Sequence, residues 1–251
     1  MGIGHLAASF AVRGRCPRVP LFLLLFAGAF IDVLWGIAIL TGLERAHVGP
    51  ETGSAIPIVL EDVRYTHSLI ACLAWSTLAS AAWWWWRRDR WGALVIGALV
   101  ASHWLLDFVS HVPEMPLSAS GPYVGLGLWR SRGWSFAVEI GMLWIGLALY
   151  ARSTSAMDRI GSIGLVALSA VLTSLVVGAF FAPSPPSIAP IAMTSVALPL
   201  VLLLLGWVDL HRRVDRRNAR DVRDASSRST DRSTTRAAEK QRERVTQDPA
   251  T

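Results

Sequence analysis

Apolar residues along this chain collect into runs of about twenty, parted by short stretches that carry most of the Arg, Asp and Pro. At about 1.5 Å per residue, such a run crosses a hydrocarbon core roughly 30 Å thick. Six spans are predicted, at about 21–43, 65–86, 92–112, 134–151, 161–181 and 190–209. The fold class is therefore all-α: a multi-pass transmembrane helical bundle over 1–210, followed by a tail over 211–251. Pro20 opens the first span, where a missing N–H costs nothing. Pro183, Pro185, Pro186 and Pro190 break the chain between the last two spans, and Pro199 predicts a kink in the sixth. Residues 1–12 are apolar but too short to cross. They read either as an interfacial helix on the membrane surface or as a re-entrant half-helix turning at 13–19.

Composition agrees with the pattern. Hydrophobic residues make up 53% and charged residues 17%, where a soluble domain carries roughly 25% charged. Trp83–Trp86 end one run directly before Arg87 and Arg88, the placement of an aromatic belt at the headgroup layer. Cys16 and Cys72 offer neither a disulfide framework nor a Cys-based zinc site. The opening residues do not read as a secretory signal, because their Arg residues follow the apolar stretch.

Alternate loops carry eight Arg on one side (13, 15, 18, 87, 88, 90, 152, 159) and four on the other (45, 64, 130, 132). The richer side is expected to be cytoplasmic, and both termini fall on it. The tail adds twelve basic and seven acidic residues and few apolar ones. It cannot build a core and is expected to be disordered near anionic lipid headgroups. Interleaved acids and the lack of aromatic residues argue against a nucleic-acid partner.

Ionisable residues inside the spans are the candidate chemistry. A charged Asp at a membrane helix centre costs roughly 2.5–3.5 kcal/mol on insertion scales. Such groups therefore face the bundle and find partners. His103, Asp107 and His111 are spaced four apart and share one face of the third span. Asp32, His67 and Glu139 come from three other spans. Counted from the cytoplasmic edge along upright helices, Asp32 and His103 lie at roughly 18 Å, Asp107 at roughly 24 Å, and His67 and His111 at roughly 30 Å. His5 reaches roughly 12 Å if the first residues are re-entrant. By that spread, no single ion uses every group. His103, Asp107 and Asp32 form a compact subset, joined by His67 if the second span is tilted or unwound. Such His/Asp ligation suits a divalent metal: zinc, manganese or iron. A hydrogen-bonded polar cluster or a proton relay is the alternative that spacing leaves open.

Four segments carry a resemblance: Gly4-His5, Phe30-Ile31-Asp32, Tyr65-Thr66-His67-Ser68-Leu69 and Ser102-His103-Trp104-Leu105-Leu106-Asp107. In this order they resemble the bacterial inner-membrane family named membrane-bound metal-dependent hydrolases, over about residues 4–117. His111 to Leu117 with Gly125 to Trp129 is similar to a subgroup of multi-pass proteins sometimes labelled permease. The resemblance implies a metal held by His5, Asp32, His67, His103 and Asp107, in the bacterial inner membrane. Two positions depart from the family's pattern: Leu34 replaces its second acid, and Asp62 replaces its His before Arg-Gly.

The expectation is a metal-dependent hydrolase with its site in the outer half of the bilayer. Asp62 or Glu114 is the candidate general base, and a lipid or cell-envelope ester the substrate. The rival readings are a permease or proton/metal-ion pathway and a non-catalytic scaffold contacting partners through its tail. Glu139 is expected to hold helices together. His111 is expected at the outer mouth, ending its helix before Pro113.

Overall fold

The computed structural model describes residues 2–49 and 54–215. Among these are seven α-helices: α1 (Gly4–Val12), α2 (Leu21–Leu40), α3 (Leu69–Arg87), α4 (Arg90–Ser110), α5 (Arg132–Ser153), α6 (Arg159–Phe181) and α7 (Ile188–Leu210). Each predicted span carries a helix. Five of them, α2 and α4 to α7, are long and apolar enough to cross a membrane, and they mark the protein as membrane-embedded. The remaining predicted span, α3, has 19 residues and is diluted by Trp and small hydroxyl side chains. Those hydroxyls have work inside the bundle. Ser76 Oγ donates to the Gly97 carbonyl at 2.7 Å and Ser80 Oγ to the Ala93 carbonyl at 2.8 Å, stitching α3 to α4. Between them the chain reverses at Arg88 and Asp89, with Arg88 at φ 53°.

Three short antiparallel ribbons join the helix ends: β1 (Arg45–Val48) with β2 (Ile58–Asp62), β3 (Met115–Pro116) with β4 (Tyr123–Val124), and β5 (Thr154–Ala156) with β6 (Arg212–Val214). One strand of the last ribbon, β6, lies within the expected tail. Its Arg212 donates to Thr154 Oγ1, to the Thr154 carbonyl and to the Gly161 carbonyl, so the folded bundle runs to Val214. The rest of the expected tail, 216–251, lies outside the described residues.

Helix α2 is the spine. Its Leu24, Ile31 and Trp35 enter one apolar cluster with Val100 and Trp104 of α4, while Leu25 and Ala29 enter another with Leu143, Leu172 and Leu202 of α5 to α7. Faces of α6 and α7 leave Val166, Leu175, Leu200 and Leu204 exposed, which suits lipid tails and would be costly in water.

The nine residues of α1 do not lie on a surface. Gly4, His5, Leu6, Ala7, Ser9 and Phe10 are all buried, so the helix is inserted among α2, α4 and α5. Glycines on the partner helices make the room. A Cβ at Gly146 would sit 2.5 Å from the Ala7 carbonyl oxygen, and one at Gly28 would sit 2.8 Å from that of His5. The interfacial reading is therefore replaced by the inserted one. Arg13, just past α1, is likewise not a free loop charge. Its Nη2 donates to Asp209 at 2.9 Å and its Nε contacts both carboxylate oxygens.

Candidate metal centre

Four parts of the chain converge on one buried cluster. The inserted α1 delivers His5, α2 delivers Asp32, the turn before α3 delivers His67, and α4 delivers His103 and Asp107. His103 Nε2 stands 3.1 Å from Asp107 Oδ2 and 3.5 Å from Asp32 Oδ1. His67 Nε2 stands 3.6 Å and 3.9 Å from the same two oxygens. His5 Nε2 is 3.2 Å from Asp107 Oδ1. All five residues implied by the resemblance thus come together.

The depths counted along upright helices do not hold for His67. They took α3 to begin at 65, but residues 63–67 form a turn, closed by His67 N–H on the Val63 carbonyl at 2.9 Å. Ser68 then caps α3 by accepting the Ala71 N–H. The turn brings the His67 ring to the carboxylates, with Nε2 3.9 Å from Asp32 Oδ1.

Hydrogen bonds fix the ring orientations. His103 Nδ1 lies 3.1 Å from the Gly28 carbonyl, which can only accept, so Nδ1 carries the proton. Its Nε2 then faces two carboxylates, in a ring with no exposed surface and with no hydrogen bond to satisfy that nitrogen. His67 is held similarly through a relay. Glu44 accepts the Tyr65 and Thr66 N–H groups and, at 2.6 Å, the Thr66 hydroxyl. Thr66 Oγ1 has spent its only proton, so it accepts from His67 Nδ1 at 2.8 Å. His67 Nε2 also faces the carboxylates.

Nε2 atoms facing carboxylate oxygens at these distances call for a positive charge between them, a proton or a metal ion. Donors about 2.0–2.2 Å from an ion stand about 3.3–3.6 Å apart in a tetrahedron. The imidazole–carboxylate separations of His67 and His103 from Asp32 and Asp107 run from 3.1 to 3.9 Å, and two triads, His5 with His103 and Asp107 and Asp32 with His67 and His103, bring their donor atoms within 4.8 Å of one another. With Nδ1 of each ring tied to a carbonyl or a carboxylate relay, the set fits a divalent metal ion.

The other sequence candidates take different places. Asp62 is paired with Arg64 at 2.7 and 3.0 Å, and this pairing holds its carboxyl below the usual range. It does not reach the cluster. Glu114 does not reach it directly either: its Oε1 accepts from His111 Nδ1 at 2.7 Å and its Oε2 from the Leu60 N–H at 3.1 Å. His111 ends α4 as expected, but it is buried, with Nε2 4.0 Å from Asp107 Oδ1. Glu139 accepts the Gly2 N–H at 3.2 Å and so anchors the start of α1. Glu44 was missed. It lies outside the spans with no motif around it, and its role comes from backbone donors that composition does not reveal. Burial pushes its carboxyl up, against the pull of Thr66 and the two backbone donors.

Beside the cluster lies a cavity of about 380 Å³. Asp32, His67, Asp107 and His111 line its polar part, and Trp35, Ile58, Leu60 and Phe180 are among its apolar walls. Arg132, exposed at the start of α5, also borders it. Compared with protein-family models, curated proteins and solved structures, the chain finds no match in any of the three.

Proposed function

We propose that the protein is a metal-dependent hydrolase that cleaves an ester or phosphoester bond of a lipid or cell-envelope substrate. It would sit in the bacterial inner membrane with both termini cytoplasmic and the cluster in the outer half of the bilayer. One observation carries the reading: His67 and His103 turn their Nε2 atoms onto Asp32 and Asp107 while their Nδ1 atoms are tied off. The resemblance over residues 4–117 supports the same ion and the same reaction class.

Asp32, His67, His103 and Asp107 would hold the ion, zinc being the first candidate for this donor set. Bound there, a divalent ion supplies acidification of a water and polarisation of the scissile oxygen. Asp32 is the candidate proton acceptor. Its side chain keeps 27% of its surface and borders the cavity. Its Oδ2 has no hydrogen bond among the described residues. The apolar walls suit an acyl or prenyl chain and exclude water around the bond to be broken. Arg132, which carries no ion pair among the described residues, suits an anionic headgroup at the edge of the cavity. A cavity shaped for an amphipathic molecule favours hydrolysis over an ion pathway, which needs only a polar passage.

Metal analysis of detergent-purified protein tests the reading, with His103→Ala as the control. The parent is expected to retain more transition metal than the variant, and equal metal content in the two would sink it. Release of water-soluble headgroup from bacterial lipid vesicles, abolished in Asp32→Asn, then tests the hydrolysis itself.

A further inference from the structure

We infer that the centre is built for two metal ions, with Asp107 as the shared carboxylate and His5 and His111 as ligands of the second. The inference rests on the metal reading above and extends it.

The two oxygens of Asp107 address different partners. Oδ2 faces His67 and His103, at 3.6 and 3.1 Å. Oδ1 faces His5 and His111, at 3.2 and 4.0 Å. A carboxylate placed between two sets of imidazoles can bridge two ions.

Ring geometry separates the sets. An ion bound by an imidazole nitrogen lies close to the ring plane, along the lone pair. The His5 and His103 rings are stacked, with centroids 3.7 Å apart and planes 9° from parallel. An ion in the plane of one ring is therefore well out of the plane of the other. By distance His5, His103 and Asp107 could share one ion, but the stacked planes let that ion lie in the plane of only one of the two rings unless a ring turns. The 3.7 Å stack is close to the roughly 3.5–4 Å between ions in two-ion hydrolytic sites.

His111 has the build of a ligand, not of a mere helix cap. Glu114 fixes its tautomer by accepting from Nδ1 at 2.7 Å, and Glu114 is itself held by the Leu60 N–H. Trp129 backs the ring at 4.1 Å between centroids. The ring is 5% exposed, and its Nε2 has no hydrogen bond among the described residues. That lone pair is aimed toward Asp107 Oδ1, where only a cation or a proton makes the contact favourable. A carboxylate behind the far nitrogen of an imidazole is the usual outer shell of a metal-bound His. His5 Nε2, Asp107 Oδ1 and His111 Nε2 would be the three protein donors; His5 Nε2 shares a hydrogen bond with Asp107 while its buried Nδ1 has no partner, so His5 would give up its Nε2 proton on binding. Asp107 and His111 border the cavity, so open coordination positions face the substrate space.

Stoichiometry is the test. Full-length protein in detergent is stripped of metal, reloaded with zinc and assayed for zinc per chain. Two ions are expected for the parent and one for His111→Ala. Glu114→Gln should bind the second ion about 10–100-fold more weakly. A parent that saturates at one ion overturns the two-ion centre and leaves the metal reading standing; a parent that binds none overturns both. Two ions retained in His111→Ala overturns the ligand assignment. Manganese-loaded parent gives a readout independent of any variant's folding. A spin-coupled electron paramagnetic resonance spectrum is expected at saturation, and a spectrum of isolated ions overturns the proposal.

Discussion

A single hydroxyl, that of Thr66, decides how His67 presents itself. It donates to Glu44 and accepts from His67 Nδ1, so it passes the preference of a buried carboxylate to a ring that Glu44 does not touch. Thr66→Val keeps the shape and removes the relay. The variant is expected to fold, because Glu44 retains its two backbone donors, and to bind zinc about 10–100-fold more weakly. Competition with a chromophoric chelator measures this, and unchanged affinity would remove the relay from the account. The same residues show what was legible beforehand. His103, Asp107 and His111 shared a face by spacing alone, since a period of four is readable on any helix. The place of His67 was not readable, because it depends on where α3 starts. Capped by Ser68, α3 starts at Leu69, four residues after the predicted span opens at 65, a shift of the size that pattern reading leaves at element boundaries.

At the scale of elements, apolar run length foretold the spans because the thickness of the bilayer fixes it. The insertion of α1 could not be foretold this way. Nine mostly apolar residues fit a surface groove as well as a bundle, and the deciding residues, Gly28 and Gly146, lie on other helices. Gly146→Leu tests that crossing. Overpacking of this kind costs about 1–3 kcal/mol, and the expected relief is displacement of α1 together with His5. A Ser9→Cys probe, buried in the parent, should become reactive to a thiol label in the Gly146→Leu background. Gly141→Ala is the control, since a Cβ there meets nothing within 4 Å. A second junction is sensitive to pH. Asp158 caps α6 by accepting the Gly161 N–H at 2.9 Å and pairs with His211 at 2.6 Å, tying the start of α6 to the end of α7. The Gly161 N–H first, then His211, hold its carboxyl below the usual range. A depressed value means that its stabilisation is present above the ordinary carboxylate pKa and lost as pH falls through the folded one. Asp158→Ala should therefore melt below the parent at neutral pH, with the gap closing in strong acid. A gap that is constant with pH would mean that the carboxylate charge contributes nothing.

Across the whole molecule, the two ends of the bundle are held by different means. Near the candidate centre, helices α1, α2 and α4 meet around two carboxylates and several imidazoles, a donor set that could hold a cation. Near the opposite end, Arg13 supplies the cation itself. Its guanidinium pairs with Asp209 of α7, and Tyr150 of α5 donates to the same carboxylate at 2.8 Å. Three segments far apart in sequence are locked by one buried group, with Arg13 8% and Asp209 4% exposed. Hydropathy could not reveal this, since Arg13 reads as one more basic residue beside a membrane. Removing one partner of a buried pair costs about 3–5 kcal/mol, because the other charge is stranded, whereas apolar replacement of the whole set is often neutral. Asp209→Leu alone should thus lower thermal stability in detergent sharply. The triple variant Arg13→Met, Asp209→Leu, Tyr150→Phe should recover most of the loss, since it strands neither the guanidinium nor the phenol. Because the lock lies apart from the cluster, the triple variant should also keep the parent's zinc content. If it recovers stability but loses metal, the two ends are coupled through α1, which carries His5 at one end and leads into Arg13 at the other.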